Sequence, residues 1–215
     1  MEHLRFVAVE GSIGVGKTFL AKLLAGKLKA NLVLEEVDQN PFLHSFYQDR
    51  TGYAFQTQIF FLLSRYRQQK ELAQTDLFTQ KVVSDYVFAK DKIFAYLNLD
   101  DNEISLYERI LPLLEKEVPL PDLVIYLHAS PEFLAKKLRE RARPHEGSIT
   151  LDYLKELAEA YTEFFFHYRD SPLLVVTAEA VDFSRTPKAL QELLKEIGTP
   201  FKGTRYWIPS SDSTA

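Results

Sequence analysis

The chain has 215 residues, with 26 Lys and Arg against 30 Asp and Glu for a formal charge of -4, and it contains no cysteine. That length suits one sizeable core and is short for two ordinary domains. The acidic balance supplies no broad field for a nucleic-acid polymer, and the lack of thiols excludes disulfides, Cys-ligated zinc and thiol catalysis. Any metal must therefore sit on oxygen or imidazole, and none of the five histidines has metal-ligand spacing.

In chain order, a short polar start leads into an apolar run at 5–9 that is too short for a signal peptide or a membrane span, so cytoplasm is the default address. Further runs follow at 32–35, 81–85, 123–128 and 173–177. Segments of helical periodicity lie between them at 17–28, 54–72, 104–114, 131–141 and 151–168. Short buried runs alternating with helices predict an α/β domain: a doubly wound, five-stranded parallel sheet in three α/β/α layers. Ser130 before Pro131 reads as the N-cap of a helix with Pro in its first turn. One domain is expected over 1–200, with 201–215 as a tail that turns small and polar from Pro209 onward.

Between the first strand and the first helix lies Gly11-Ser12-Ile13-Gly14-Val15-Gly16-Lys17-Thr18. This is the full Walker A spacing in the strand–loop–helix context it requires. The glycines let backbone N–H groups converge on phosphate oxygens, Lys17 reaches the terminal phosphates, and the Thr18 hydroxyl suits Mg²⁺. The motif identifies ATP or a related triphosphate and leaves kinase, GTPase and mechanochemical ATPase open. An Asn-Lys-x-Asp guanine-reading motif is absent.

A small-molecule kinase needs a base, an acceptor pocket and cations that close over the phosphates. Glu35 and Glu36 end the second predicted strand, at the sheet edge where the P-loop also lies, and either could be the base. Asp85 ends the third strand, in reach of Mg²⁺. Lys136, Lys137, Arg139, Arg141 and Arg143 crowd the end of a helix near 137–149. Such a run reads either as a solvated helix face or as a short mobile lid whose arginines, Arg141 and Arg143 above all, close on the transferring phosphoryl group.

Taken together, the P-loop, a strand-end Glu before Asn40-Pro41, and Tyr47, Gln58 and Arg65 at their spacings resemble the deoxynucleoside kinase family over roughly 5–197. The resemblance implies that Glu35 takes the proton of a nucleoside 5'-hydroxyl as it attacks the γ-phosphate. It implies that Tyr47 and Glu146 hold the 3'-hydroxyl, that Gln58 reads the base edge, and that Arg65 supports Asp91 there through an ion pair. Arg141-Ala-Arg143-Pro-His-Glu146 is similar to the family's lid, and Asp182-Phe183 to its adenine-holding loop. A homodimer through the long helices is implied as well.

Two positions depart from the family: Glu36, where Pro is usual, and Tyr86, where Arg usually follows the acid. The Asp85-Tyr86 form, with Lys90 and Ile93-Phe94-Ala95, looks like the bacterial deoxyguanosine kinase branch. Lys90 is the expected replacement for the missing cation. Gln58 with Asp91 looks adenine-competent, so deoxyadenosine and deoxyguanosine both stay open as acceptors. A nucleoside monophosphate kinase using Arg50, Arg65 and Arg67, or a regulatory P-loop protein, are the alternatives.

Overall fold

A computed structural model describes residues 1, 3–74, 81–142 and 147–209. Six strands, β1 (Phe6–Gly11), β2 (Asn31–Val33), β3 (Val82–Ser84), β4 (Leu123–His128), β5 (Leu173–Thr177) and β6 (Thr204–Trp207), form one parallel sheet in the order β2-β3-β1-β4-β5-β6. Helices α1 (Lys17–Leu28), α2 (Leu43–Gln48), α3 (Arg50–Gln74), α4 (Asp91–Asn98), α5 (Asp101–Glu115), α6 (Pro131–Arg141), α7 (Leu151–His167) and α8 (Pro187–Gly198) cover both faces. Because β1 is central and its neighbours β3 and β4 belong to opposite halves of the winding, a crevice opens beyond its carboxyl end.

Side chains alternate across a strand, so β1 sends Val7 and Val9 to one core and Phe6 and Ala8 to another. The first core is closed by α1, α6 and α8 through Leu20, Leu24, Leu134 and Leu193; the second by α2, α4 and α7 through Leu43, Ile93 and Leu157. A third cluster, with Leu62, Tyr107 and Leu111, seats α5 on α3. Glu10 shares the parity of Phe6 and Ala8, which directs its carboxylate toward the α4 and α7 side.

The α/β architecture is as expected, and α1 and α6 run over the residues that their periodicity predicts. Ser130 Oγ accepts from Phe133 N at 3.3 Å, the predicted cap. The strand number needs correction from five to six. Thr204–Trp207, assigned to the tail, pairs with β5 as an edge strand, its side chains alternating exposed and half-buried. An edge strand covered on one side needs no continuous apolar run, which was the signal used to find the other five. The second strand is shorter than expected, so Glu35 stands just past it and its N–H bonds to the Asp85 side chain instead of a ladder partner.

Candidate active site

The P-loop turns between β1 and α1 with Gly11, Gly14 and Gly16 at φ of 155°, 84° and 105°, a region that L side chains rarely enter. A Cβ on Gly11 would lie 2.6 Å from Leu127 O, so backbone packing requires glycine there; at Gly14 the Leu138 side chain, 3.0 Å away, could give way, and the positive φ is the constraint. Gly16 differs, since a Cβ there meets nothing within 4 Å and would project into the open cradle. Lys17 Nζ donates to Gly11 O at 2.8 Å and Ser12 O at 3.1 Å, and the buried Ser12 Oγ has no partner among the described residues. Burial, and then nearby Lys90, lower the Lys17 ammonium to about 8, while Glu10, Glu35 and Asp85 pull it upward.

On the other side of this loop is a cavity of about 330 Å³ whose wall includes Lys17, Thr18, Glu35, Tyr47, Gln58 and Arg65. Asp85 joins its two halves: Oδ2 accepts from Thr18 Oγ1 at 2.5 Å and Oδ1 from Glu35 N at 2.7 Å. Its partners are a hydroxyl and an amide, both neutral. Among the described residues no cluster of three or more His, Cys, Asp or Glu forms a self-sufficient metal cage. A hard oxygen pair beside a phosphate cradle suits Mg²⁺, which keeps waters and takes most of its other ligands from phosphates.

Glu35 faces the cavity between two cations. Its Oε1 accepts from Arg65 Nε at 2.7 Å and lies 2.6 Å from Arg65 Nη2; its Oε2 accepts from Lys90 Nζ at 2.8 Å. Burial opposes ionisation, but Lys90 and then Arg65 outweigh it and hold the carboxyl well below the usual carboxylate range. Glu36 turns outward instead, to Arg67 Nη2 at 2.9 Å and Ser64 Oγ at 3.3 Å. The guanidinium of Arg65 also meets Asp91 Oδ2 and lies 4.9 Å over the Phe61 ring.

Asp91 stands behind the wall, fully buried. Gln58 Nε2 donates to its Oδ1 at 2.6 Å and its backbone O at 2.9 Å. A backbone carbonyl only accepts, so the Gln58 amide orientation is fixed with its NH₂ toward Asp91. Asn40 binds the segment after β2 to α3, its Nδ2 donating to Thr57 O at 3.1 Å.

The expected replacement of a cation at Tyr86 has a clear geometry. Tyr86 is fully buried and points away from the cavity, its hydroxyl donating to Gln68 Oε1 at 2.9 Å. A single 3-10 turn over Phe88–Lys90, rather than a helix running on from Tyr86, delivers Lys90 to Glu35. Sequence reasoning missed Glu10, whose carboxylate accepts from Gly11 N at 2.9 Å, Val87 N at 3.0 Å and Tyr161 OH at 3.2 Å. The signal was available: an acid set directly between the apolar run at 5–9 and the first glycine of the P-loop.

A second opening, about 390 Å³, lies on the outer side of the P-loop between Gly16, Phe19, Lys137 and Arg141. Arg141, at the end of α6, borders both cavities. Asp182 and Phe183 line neither. They sit in the loop after β5, where Asp182 Oδ1 accepts from Ser184 N at 2.9 Å and Phe183 stacks on Trp207 of β6 at 6.4 Å. Arg143 and Glu146, expected in the lid and on the sugar, lie outside the described residues.

A P-loop at the centre of a parallel sheet, facing an acid-lined pocket across Asp85, defines a phosphotransferase of the nucleotide-dependent α/β class. Within that class, the chain belongs to the deoxynucleoside kinase family, whose model matches residues 7–201. It is 34% identical over 208 residues to the deoxyguanosine kinase of Bacillus subtilis (strain 168), covering 90% of this chain and 100% of that protein. With the deoxyadenosine kinase of Dictyostelium discoideum it shares 35% identity over 194 residues, 88% of this chain and 77% of the relative. In fold it is similar to the structure of deoxyadenosine kinase from M. mycoides with bound dATP, with a TM-score of 0.77, 24% identity, and coverage of 90% and 99%.

Proposed function

We propose that the protein transfers the γ-phosphate of ATP to the 5'-hydroxyl of a purine deoxynucleoside. The observation that carries this reading is the pair of hydrogen bonds accepted by Asp85, which sets Thr18 of the triphosphate loop and Glu35 of the acceptor cavity on two oxygens of one carboxylate. Donor and acceptor are thereby held in one frame, the main requirement of a loose phosphoryl transfer. Glu35 accepts the hydrogen bond of the 5'-hydroxyl. As the new O–P bond forms and the bond to ADP breaks, the hydroxyl proton passes to Glu35. With Lys90 and Arg65 beside it, Glu35 is a weak base, so it orients the hydroxyl early and takes the proton late. Thr18 and Asp85 would hold Mg²⁺, and the ion would supply neutralisation of charge on the phosphates.

Tyr47 and Gln58 suit the sugar and the base edge, and Arg141 suits the phosphates from the mouth between the two openings. Relatives named for deoxyguanosine and for deoxyadenosine resemble the chain to similar degrees, which supports a purine and leaves both open. The monophosphate-kinase alternative loses support: Arg65 is committed to two buried carboxylates, Arg67 is paired with Glu36, and Arg50 with Glu156. A homodimer is part of the proposal, supported by Leu63 on α3 and Leu106 and Leu113 on α5, all exposed on packed neighbouring helices. So is a cytoplasmic location, where ATP and nucleosides meet; among the described residues no helix is long and apolar enough to cross a membrane.

The test is a phosphotransfer assay with ATP across the four deoxynucleosides, their ribose counterparts and the purine monophosphates. Turnover greatest with deoxyguanosine or deoxyadenosine is expected. Turnover of dGMP or dAMP alone, or ATP hydrolysis indifferent to every nucleoside, would overturn the reading.

A further inference from the structure

Glu10 occupies the junction between the two halves of the site. It is the last residue of β1 before the glycine that opens the P-loop, and it is fully buried. Both carboxylate oxygens accept backbone N–H groups, Oε1 from Gly11 and Oε2 from Val87, so the acid ties the phosphate loop to the loop that carries Lys90. Tyr161 adds a third hydrogen bond from α7. Lys90 Nζ lies 3.8 Å from Oε1 while it donates to Glu35 at 2.8 Å.

We propose that Glu10 is a positioning residue for both halves of the site: its two backbone bonds hold the P-loop in register with the loop that carries Lys90, and its carboxylate shares Lys90 with Glu35. Glu10 lines neither opening and acts through these two loops. Glu35 cannot replace it, because its oxygens are taken by Arg65 and Lys90. Asp85 cannot either, since its oxygens are taken by Thr18 and the Glu35 amide.

The inference rests on the kinase reading only for its consequence in turnover, so its test is made on ATP binding alone. Glu10→Gln keeps the size of the side chain but offers one accepting oxygen where two backbone N–H groups need one each. ATP affinity, measured by titration near neutral pH, should fall by about tenfold although Glu10 lines neither opening, and the loss should persist in the cold, well below the melting temperature, where a merely less stable protein would regain it. The double variant E10Q/K90M, compared with K90M, repeats the measurement should E10Q alone prove unstable, because removing both members of a buried pair is milder than removing one. ATP affinity within about twofold of the parent protein in both backgrounds, or a loss that disappears in the cold, would overturn the proposal. Absence of deoxynucleoside turnover in the wild type would count against the acceptor assignment and leave these affinities readable.

Discussion

Replacing Arg65 by Met removes the cation that joins Asp91, behind Gln58, to Glu35 on the cavity wall. Its side chain, 4% exposed, meets Glu35 at 10% and Asp91 at 0%. In the variant Glu35 still has Lys90, whereas Asp91 keeps neutral partners, the Gln58 amide and the Tyr107 hydroxyl, so the penalty falls mainly on Asp91. Breaking a buried pair by removing one partner costs about 3–5 kcal/mol. For a chain of this size each kcal/mol is worth roughly 2–4 °C, so Tm should fall by about 6–20 °C.

The sign of the pH dependence follows from Asp91, which burial already raises, with Arg65 foremost among the groups that pull it down. Without Arg65 it rises further. An acid whose pKa is higher folded than unfolded is penalised when ionised, so stability is lost as pH rises between the two values. The variant should therefore lie nearer to wild type at about pH 5.5 than at about pH 8. Asp91→Leu in the Arg65→Met background removes the stranded charge and should restore most of the lost Tm. Calorimetric scans of the three proteins check this. A single variant within about 2 °C of wild type, or a double variant no more stable than the single, would refute the pairing argument.

Glu35→Gln should lower kcat by about 10²–10⁴ while KM for the deoxynucleoside changes little, measured by initial rates on folded protein; a kcat within threefold of wild type would remove Glu35 from the transfer step. Tyr86→Phe should leave kcat within about threefold, because the lost hydroxyl serves Gln68 and Lys90 is the cation at Glu35. Gly11→Ala and Gly16→Ala should differ: both strain the backbone by about 1–2 kcal/mol, but only the first drives a Cβ against Leu127 O at 2.6 Å. Thermal unfolding should rank Gly11→Ala as the less stable, and ATP titration should show weaker binding for both.

What could be read in the sequence depended on whether a residue's role is local. The P-loop was legible because its glycines, Lys17 and Thr18 act through backbone geometry within eight residues. The strands buried on both faces announced themselves as apolar runs, whereas β6, buried on one side only, did not. Glu35 could be told from Glu36 only by packing, since both sit at one strand end and the pairing of Glu36 with Arg67 spans 31 residues. Asp91 was named from the family resemblance, but its place behind Gln58 and Arg65, not on the cavity wall, follows from the docking of α4 on α3. Glu10 was visible as an acid in an apolar strand. Its partners Val87, Lys90 and Tyr161 lie 77 to 151 residues away, and no local pattern connects them.

The four acids of the site are the same chemistry differentiated by what surrounds them. Asp91, deepest, is matched by Arg65 and a fixed amide; Glu10 by two backbone N–H groups and Tyr161; Glu35 by two cations; Asp85 by a hydroxyl and an amide. Among the described residues, Asp85 alone of these four has no ion pair within 4 Å. On the proposed function a divalent cation entering with a triphosphate would gain most from Asp85, beside Thr18 of the P-loop. Glu35, its charge already answered by Lys90 and Arg65, would compete poorly for that ion. The two cations thus do more than hold Glu35 ionised. On the proposed function they would separate an acid that meets metal from an acid that meets the acceptor hydroxyl, although the second begins at the very amide that the first accepts.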